Sequence, residues 1–286
     1  MKRKNIIKGI AVAAVAGVLA FALAGCGSQS SQASSSATGS ASSNSKVIKV
    51  GASPSPHAEI LNAAKAQLES EGYELQVVEF SDYIQPNVAL QQGELDANYF
   101  QHQPYLDNYN SQNGTDLDGV AAIHFEPMGI YAGKSSDLTS IPDGAKIAVP
   151  SDATNEARAL LLLQDQGVIT LKDGAGLEAT KNDIASNPHN IQLVEVEAAS
   201  VPRQLQDTDF AVINGNYALS AGLDTTKVLA SESADSLAAK TYANVIAVQA
   251  KDADSEKTKA LVSALESDTV RDFITSTYNG TVVPVF

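Results

Sequence analysis

Cysteine is nearly absent: Cys26 is the only one in 286 residues. One cysteine cannot build a disulfide framework, so the folded part must be held by its core. Basic residues are also scarce, 19 Lys and Arg against 33 Asp and Glu, for a formal charge of −14. Lys and Arg supply the affinity for nucleic acid and for anionic membrane surfaces, so this balance argues against both partners. The four histidines, His57, His102, His124 and His189, show no ligand spacing such as a pair four apart on a helix, and no metal is expected. Gly174-Ala175-Gly176 lacks the third glycine of a dinucleotide fingerprint. Neither a phosphate loop nor a Gly-X-Ser-X-Gly elbow is present. No cofactor is expected, and nothing positive points to an enzyme.

Residues 1–25 begin with Lys2, Arg3, Lys4 and Lys8 and continue as an apolar run over 10–23. This is the pattern of a secretory signal, too short and wrongly flanked for a membrane span. Its ending, Leu23-Ala24-Gly25-Cys26, resembles a bacterial lipobox, which implies cleavage before Cys26 and lipid on its sulfur. More than one acyl chain makes such an anchor stable. No thiol nucleophile would then remain. Residues 26–45 are dominated by Ser and cannot bury enough apolar surface to offset ordering entropy. They read as a lipidated tether reaching roughly 25 Å, a length suited to a Gram-positive cell surface. Without the leader, 15 basic face 33 acidic side chains, a formal −18.

From Lys46 onward strands and helices alternate. Strands are expected over 47–51, 75–80, 95–100, 120–125, 130–132, 147–149, 191–196, 210–213 and 242–248. Helices are expected over 58–71, 86–92, 155–166, 199–205, 256–267 and 270–278. Such alternation argues for an α/β fold with parallel sheets and crossover helices, a second unit starting near Gly129.

The stretch 96–107 is the first candidate site. In an extended segment Asn98, Phe100 and His102 share one face, and Tyr99 and Gln101 the other. With Tyr105, two aromatics and an imidazole reach the carboxyl end of a strand, where open α/β sheets hold ligands. A core strand with a solvated histidine fits the same residues. Ser151, Asp152 and Thr154 are alternative N-caps for the helix that follows. Asn155 and Arg158 share a face at its start, where backbone N–H groups favour an anion and a guanidinium can grip a carboxylate. The alternative is a solvated arginine paired with Glu156. Asn214 and Asn216 end a strand with groups suited to an amine or carboxylate, or simply to a turn. Asn244, inside an apolar strand, needs a partner, since an unpaired buried amide costs about 1–3 kcal/mol.

The segments 98–107, 149–155, 158–163 and 211–214 together resemble the methionine-binding lipoproteins, the MetQ/NlpA family. The likeness spans the chain after the tether and includes the lipobox. It implies a two-lobed, periplasmic-binding-protein-like (type II) α/β fold crossed twice, with lobe I over 46–128 and 241–286 and lobe II over 129–240. It also implies a ligand site of Tyr83, Phe100, His102 and Tyr105 from the first lobe, with Asn155, Arg158, Asn214 and Asn244 from the second lobe and the crossing. Aromatic rings suit a polarizable thioether. Arg158 would take the α-carboxylate, the Asn carbonyls the α-ammonium, and His102 could donate to either end. The implied function is a lipid-anchored, monomeric receptor that delivers L-methionine to the permease and ATPase of an ABC transporter. D-methionine, a methionine-containing dipeptide or another small amino acid are alternatives in the same fold. An extracellular amino-acid-modifying enzyme with His102 as base, or an adhesin, would be a different class.

Overall fold

The computed structural model describes residues 46–233 and 240–286. The expected leader, Cys26 and the tether lie outside these residues, as does part of the expected second crossing. Among the described residues no helix is long and apolar enough to cross a membrane.

β1 (Val47–Ala52) is followed by α1 (Glu59–Ser70), which buries Ile60, Leu61, Ala64 and Leu68 along one stripe. Gly72 ends that helix in the left-handed region, with φ 81°. β2 (Glu74–Glu79) and β3 (Ala97–His102) both pair in parallel with β1. Between them α2 (Gln85–Gln91) carries Pro86 in its first turn, where the missing N–H is no loss. α3 (Gln103–Asn113) and β4 (Leu117–Phe125) complete this part.

The chain then enters a second sheet through β5 (Gly129–Ala132), β6 (Lys146–Pro150) and α4 (Ala153–Asp165). A small hairpin, β7 (Thr170–Leu171) and β8 (Ile184–Ser186), which the sequence pattern does not announce, leads to β9 (Gln192–Val196). β10 (Phe210–Ile213), α5 (Gly215–Ser220) and β11 (Ala230–Ser231) follow. The chain returns to the first sheet as β12 (Asn244–Gln249), α6 (Glu256–Leu265), α7 (Asp268–Tyr278) and β13 (Val283–Pro284). Ser255 and Ser267 cap the two helices by accepting from the N–H groups of Thr258 and Val270.

The first sheet has the order β13-β4-β12-β3-β1-β2, the second β11-β5-β10-β6-β9. Each is covered on both faces. Ile60, Leu61, Leu261, Leu265 and Ile274 pack on one side of the first sheet, and Leu90 and Leu106 on the other. Leu160 and Leu163 cover one side of the second, and Val201 and Ala218 the other.

Purely parallel sheets are not what forms. β12 runs antiparallel to both β3 and β4, and β5 antiparallel to β10. The cause is the way the chain changes sheets. β4 ends at the edge facing the second sheet, so β5 starts at that edge and must run away from it. β12, returning, does the same. It begins at Asn244 rather than 242, so this Asn stands at the strand's first position instead of inside it.

Gly133, just past β5, admits no side chain: a Cβ there would lie 2.3 Å from the carbonyl oxygen of Thr208 and 2.8 Å from that of Leu205. Backbone cannot yield as a side-chain tip can. Gly133→Ala is expected to lower unfolding free energy by about 1–3 kcal/mol, read as a reduced urea midpoint at unchanged slope. An unmoved midpoint would contradict this packing.

Candidate functional site

Strand direction brings the site together. His102 closes β3, Asn214 directly follows β10, and Asn155 sits in the first turn after β6. Asn244, opening β12, lies opposite both His102 and His124. These residues line one cavity together with Tyr83, Phe100, Tyr105 and Arg158, so all eight expected side chains meet in one place. Gln101, Glu126, Gly215 and Asn216 line it as well.

Its apolar wall is a cluster of rings. Tyr83 lies 5.8 Å from Phe100 and 5.7 Å from Tyr105, and Phe100 lies 6.1 Å from Tyr105, centroid to centroid. Tilted and edge-on pairs at such distances are favourable, and each presents ring faces and edges to the space between. The Tyr83 hydroxyl donates to Asn216 Oδ1 at 2.5 Å, tying the first sheet's segment to the second's.

The alternation expected along 96–107 is broken. Val245 pairs with Gln101 and Ile246 with Tyr99, leaving Phe100 as the extra residue of a β-bulge. The Gln101 amide therefore donates to Asn98 Oδ1 (2.9 Å) and Asn87 Oδ1 (2.7 Å) rather than joining Tyr99 on the opposite face. Tyr99 enters the core, where its hydroxyl bonds His124 Nδ1.

His102 caps α3. Its Nδ1 accepts the Tyr105 N–H at 3.1 Å, which places the proton on Nε2, 3.2 Å from Asn155 Oδ1. That one N–H thus points to Asn155 rather than into the cavity. Asn214 Nδ2 donates to the same oxygen at 2.7 Å, and Asn155 Nδ2 donates to Asp152 Oδ1 at 2.9 Å. Of the three possible N-caps, Asp152 is the one used. Burial, with Arg158 adding, pushes the His102 pKa down to about 3, and burial raises that of Asp152.

Arg158 is neither solvated nor paired with Glu156. Its side chain is 4% exposed, and its Nε and Nη2 donate to Glu232 at 2.8 and 2.5 Å. Nη2 also donates to the carbonyl of Glu126 at 2.8 Å, and the guanidinium lies 4.4 Å from the Tyr242 ring centre. Glu156 instead accepts from the Lys181 backbone at 3.2 Å. Glu232 carries no sequence signal: it follows a two-residue strand and belongs to no motif.

Beneath the cavity lies a second polar group. His124 Nε2 donates to Glu126 Oε1 at 2.7 Å, and His57 Nε2 donates to Asn244 Oδ1 at 3.0 Å while lying 3.4 Å from Glu126. Asn244 thereby has its partner. Burial pushes the pKa of His57 down to about 4 and that of His124 to about 3. Burial raises that of Glu126 against the pull of His57 and Arg158. Among the described residues, His57, His124 and Glu126 are also the ones whose atoms come near enough to share a metal ion. The 2.7 Å spacing is that of a hydrogen bond, shorter than the roughly 3.3 Å between two ligands of one zinc. Asn214 Oδ1 and Asn216 Nδ2 are buried and have no hydrogen-bond partner among the described residues, leaving an acceptor and a donor at the cavity.

A profile of the family described as NlpA lipoprotein matches residues 48–286. The D-methionine-binding lipoprotein MetQ of Salmonella typhimurium is 39% identical over 277 residues, covering 96% of each chain. A nutrient-binding protein from Burkholderia cenocepacia, solved bound to methionine, is 48% identical with a TM-score of 0.79, over 84% of this chain and 100% of that one. An ABC transporter periplasmic substrate-binding protein from Coxiella burnetii is 41% identical with a TM-score of 0.78, over 83% and 100%. The fold is the two-lobed, type II periplasmic-binding-protein-like α/β fold.

The buried histidines give a pH signature. A histidine whose folded pKa lies below its unfolded value of 6.5 contributes stability that is complete above 6.5 and lost as pH falls toward the folded value. The raised carboxyls of Glu126, Asp152 and Glu156 act in the opposite sense. Thermal stability is expected to fall between pH 6.5 and about 4, and His124→Gln, which keeps an N–H donor toward Glu126, to flatten that fall. A wild-type slope in this variant would contradict the assignment.

Proposed function

Because the chain belongs to the NlpA lipoprotein family, we propose that it is a lipid-anchored receptor that captures methionine outside the cytoplasm for an ABC importer. The observation that carries this is the cavity itself, with a three-ring wall on one side and a buried guanidinium with open amide groups on the other. The methionine thioether packs among Tyr83, Phe100 and Tyr105, each sulfur–aromatic contact contributing about 0.3–1.5 kcal/mol. Arg158 takes the α-carboxylate, and Asn155, Asn214, Asn244 and His102 surround the polar end. Lobe I comprises 46–128 with 241–286 and lobe II 129–240, a division supported by the membership of the two sheets.

Ligand bridging both lobes favours the closed form by its differential affinity for it. The closed monomer docks on the permease and its ATPase, tethered by lipid on Cys26 to the outer face of a Gram-positive membrane. No chemistry is done on the ligand. As a base His102 is badly placed, since Nδ1 already accepts the Tyr105 N–H and burial makes the ring reluctant to take up a proton. A relative named for D-methionine makes the enantiomer part of the test.

Thermal unfolding with L-methionine, D-methionine and methionyl dipeptides checks this reading. A ligand at 100 times its Kd adds about 2.7 kcal/mol, and L-methionine is expected to give the largest rise. If none of them moves the Tm, the methionine reading is wrong. Arg158→Ala is expected to abolish the rise and, by leaving Glu232 unpaired, to lower apo stability by about 3–5 kcal/mol. Retained affinity would remove Arg158 from the carboxylate role.

A further inference from the structure

Arg158 is the one Lys or Arg among the described residues lining the cavity, and its charge is already matched. Glu232 holds the Nε and Nη2 edge in a two-pronged contact with its own side chain only 8% exposed. Its Oε2 also accepts the Met128 N–H at 2.8 Å, and its own N–H donates to the Met128 carbonyl at 3.1 Å. The carboxylate is therefore fixed by the chain between the sheets, not a mobile surface group. Two further acids stand close: Glu126 lines the cavity, and Asp152 holds Asn155 from behind.

A ligand carboxylate that meets Arg158 thus approaches a guanidinium whose charge is paired and whose neighbours are acids. A bare carboxylate with an apolar tail would add uncompensated negative charge to a buried site. A cation carried by the same ligand removes that penalty, and Asn214 Oδ1 is the acceptor open to receive it.

We infer that Glu232 is a specificity-determining residue which, by neutralising Arg158, makes a free α-ammonium group obligatory in the ligand. The inference rests on the amino-acid receptor reading and sharpens it. The site takes zwitterions and rejects the keto acid, the des-amino acid and N-acylated forms that share the thioether and the carboxylate. Sequence-distant Glu232 sets this selectivity without touching the ligand, through the charge it leaves on Arg158.

Calorimetric titration of the purified protein with methionine and with des-amino methionine, the same acid lacking the ammonium, tests it. Wild type is expected to bind the des-amino acid at least about a hundredfold more weakly. Glu232→Gln keeps the shape but not the charge, and is expected to narrow that ratio by about tenfold or more. Glu232→Asp, which keeps the charge, should retain the wild-type preference. An unchanged ratio in a folded Glu232→Gln protein overturns the inference even if methionine still binds. Should that variant not fold, the wild-type ratio decides: comparable affinity for both acids overturns it, and the expected gap supports it. Failure of wild type to bind methionine at all would instead sink the receptor reading.

Discussion

Arg158 is buried, and a buried guanidinium needs partners for its charge. Glu232, the Glu126 carbonyl and the Tyr242 ring meet that need here. All three lie where the chain passes between the sheets, so they fix the position of the first turn of α4 against the crossings. Asn155, one turn earlier on the same helix, is held as firmly by Asp152, His102 and Asn214. The polar end of the cavity is thus held by the protein's own groups. What remains open is an amide oxygen, an amide nitrogen and the space beside three rings.

Strand direction supplies the rest of the geometry. Each sheet presents the carboxyl ends of its parallel strands to the other, and each crossing must begin a strand at that shared edge. That is why β5 and β12 are antiparallel, and why Asn244 stands opposite His102. A fully parallel arrangement would have carried Asn244 to the far end of the sheet. The bulge at Phe100 acts at shorter range. It frees Gln101 to bond with Asn87 and Asn98, locking α2 to β3 and steadying the segment that carries Tyr83.

Much of this was legible in the sequence, and the reasons are local. The apolar stripes of α1 and α4 and the strand at 97–102 follow from spacing, and all eight expected side chains line one cavity. Resemblance, rather than periodicity, joined those residues into one site. Long-range pairing is what single residues do not announce. Glu232 lies 74 positions from Arg158 in a stretch without pattern, so Glu156, its sequence neighbour, was the natural but mistaken partner. His57 and His124 lacked metal spacing, yet the fold brings both to Glu126. The bulge was equally silent, because an inserted residue leaves the composition of a strand unchanged.

The most direct test of the account is a crystal structure of the protein grown with selenomethionine as the bound ligand. The account expects an anomalous selenium peak between the rings of Tyr83, Phe100 and Tyr105, with the ligand carboxylate against Arg158 and its ammonium at Asn214. A selenium peak elsewhere, or a saturated crystal whose cavity holds no ligand density, would contradict it.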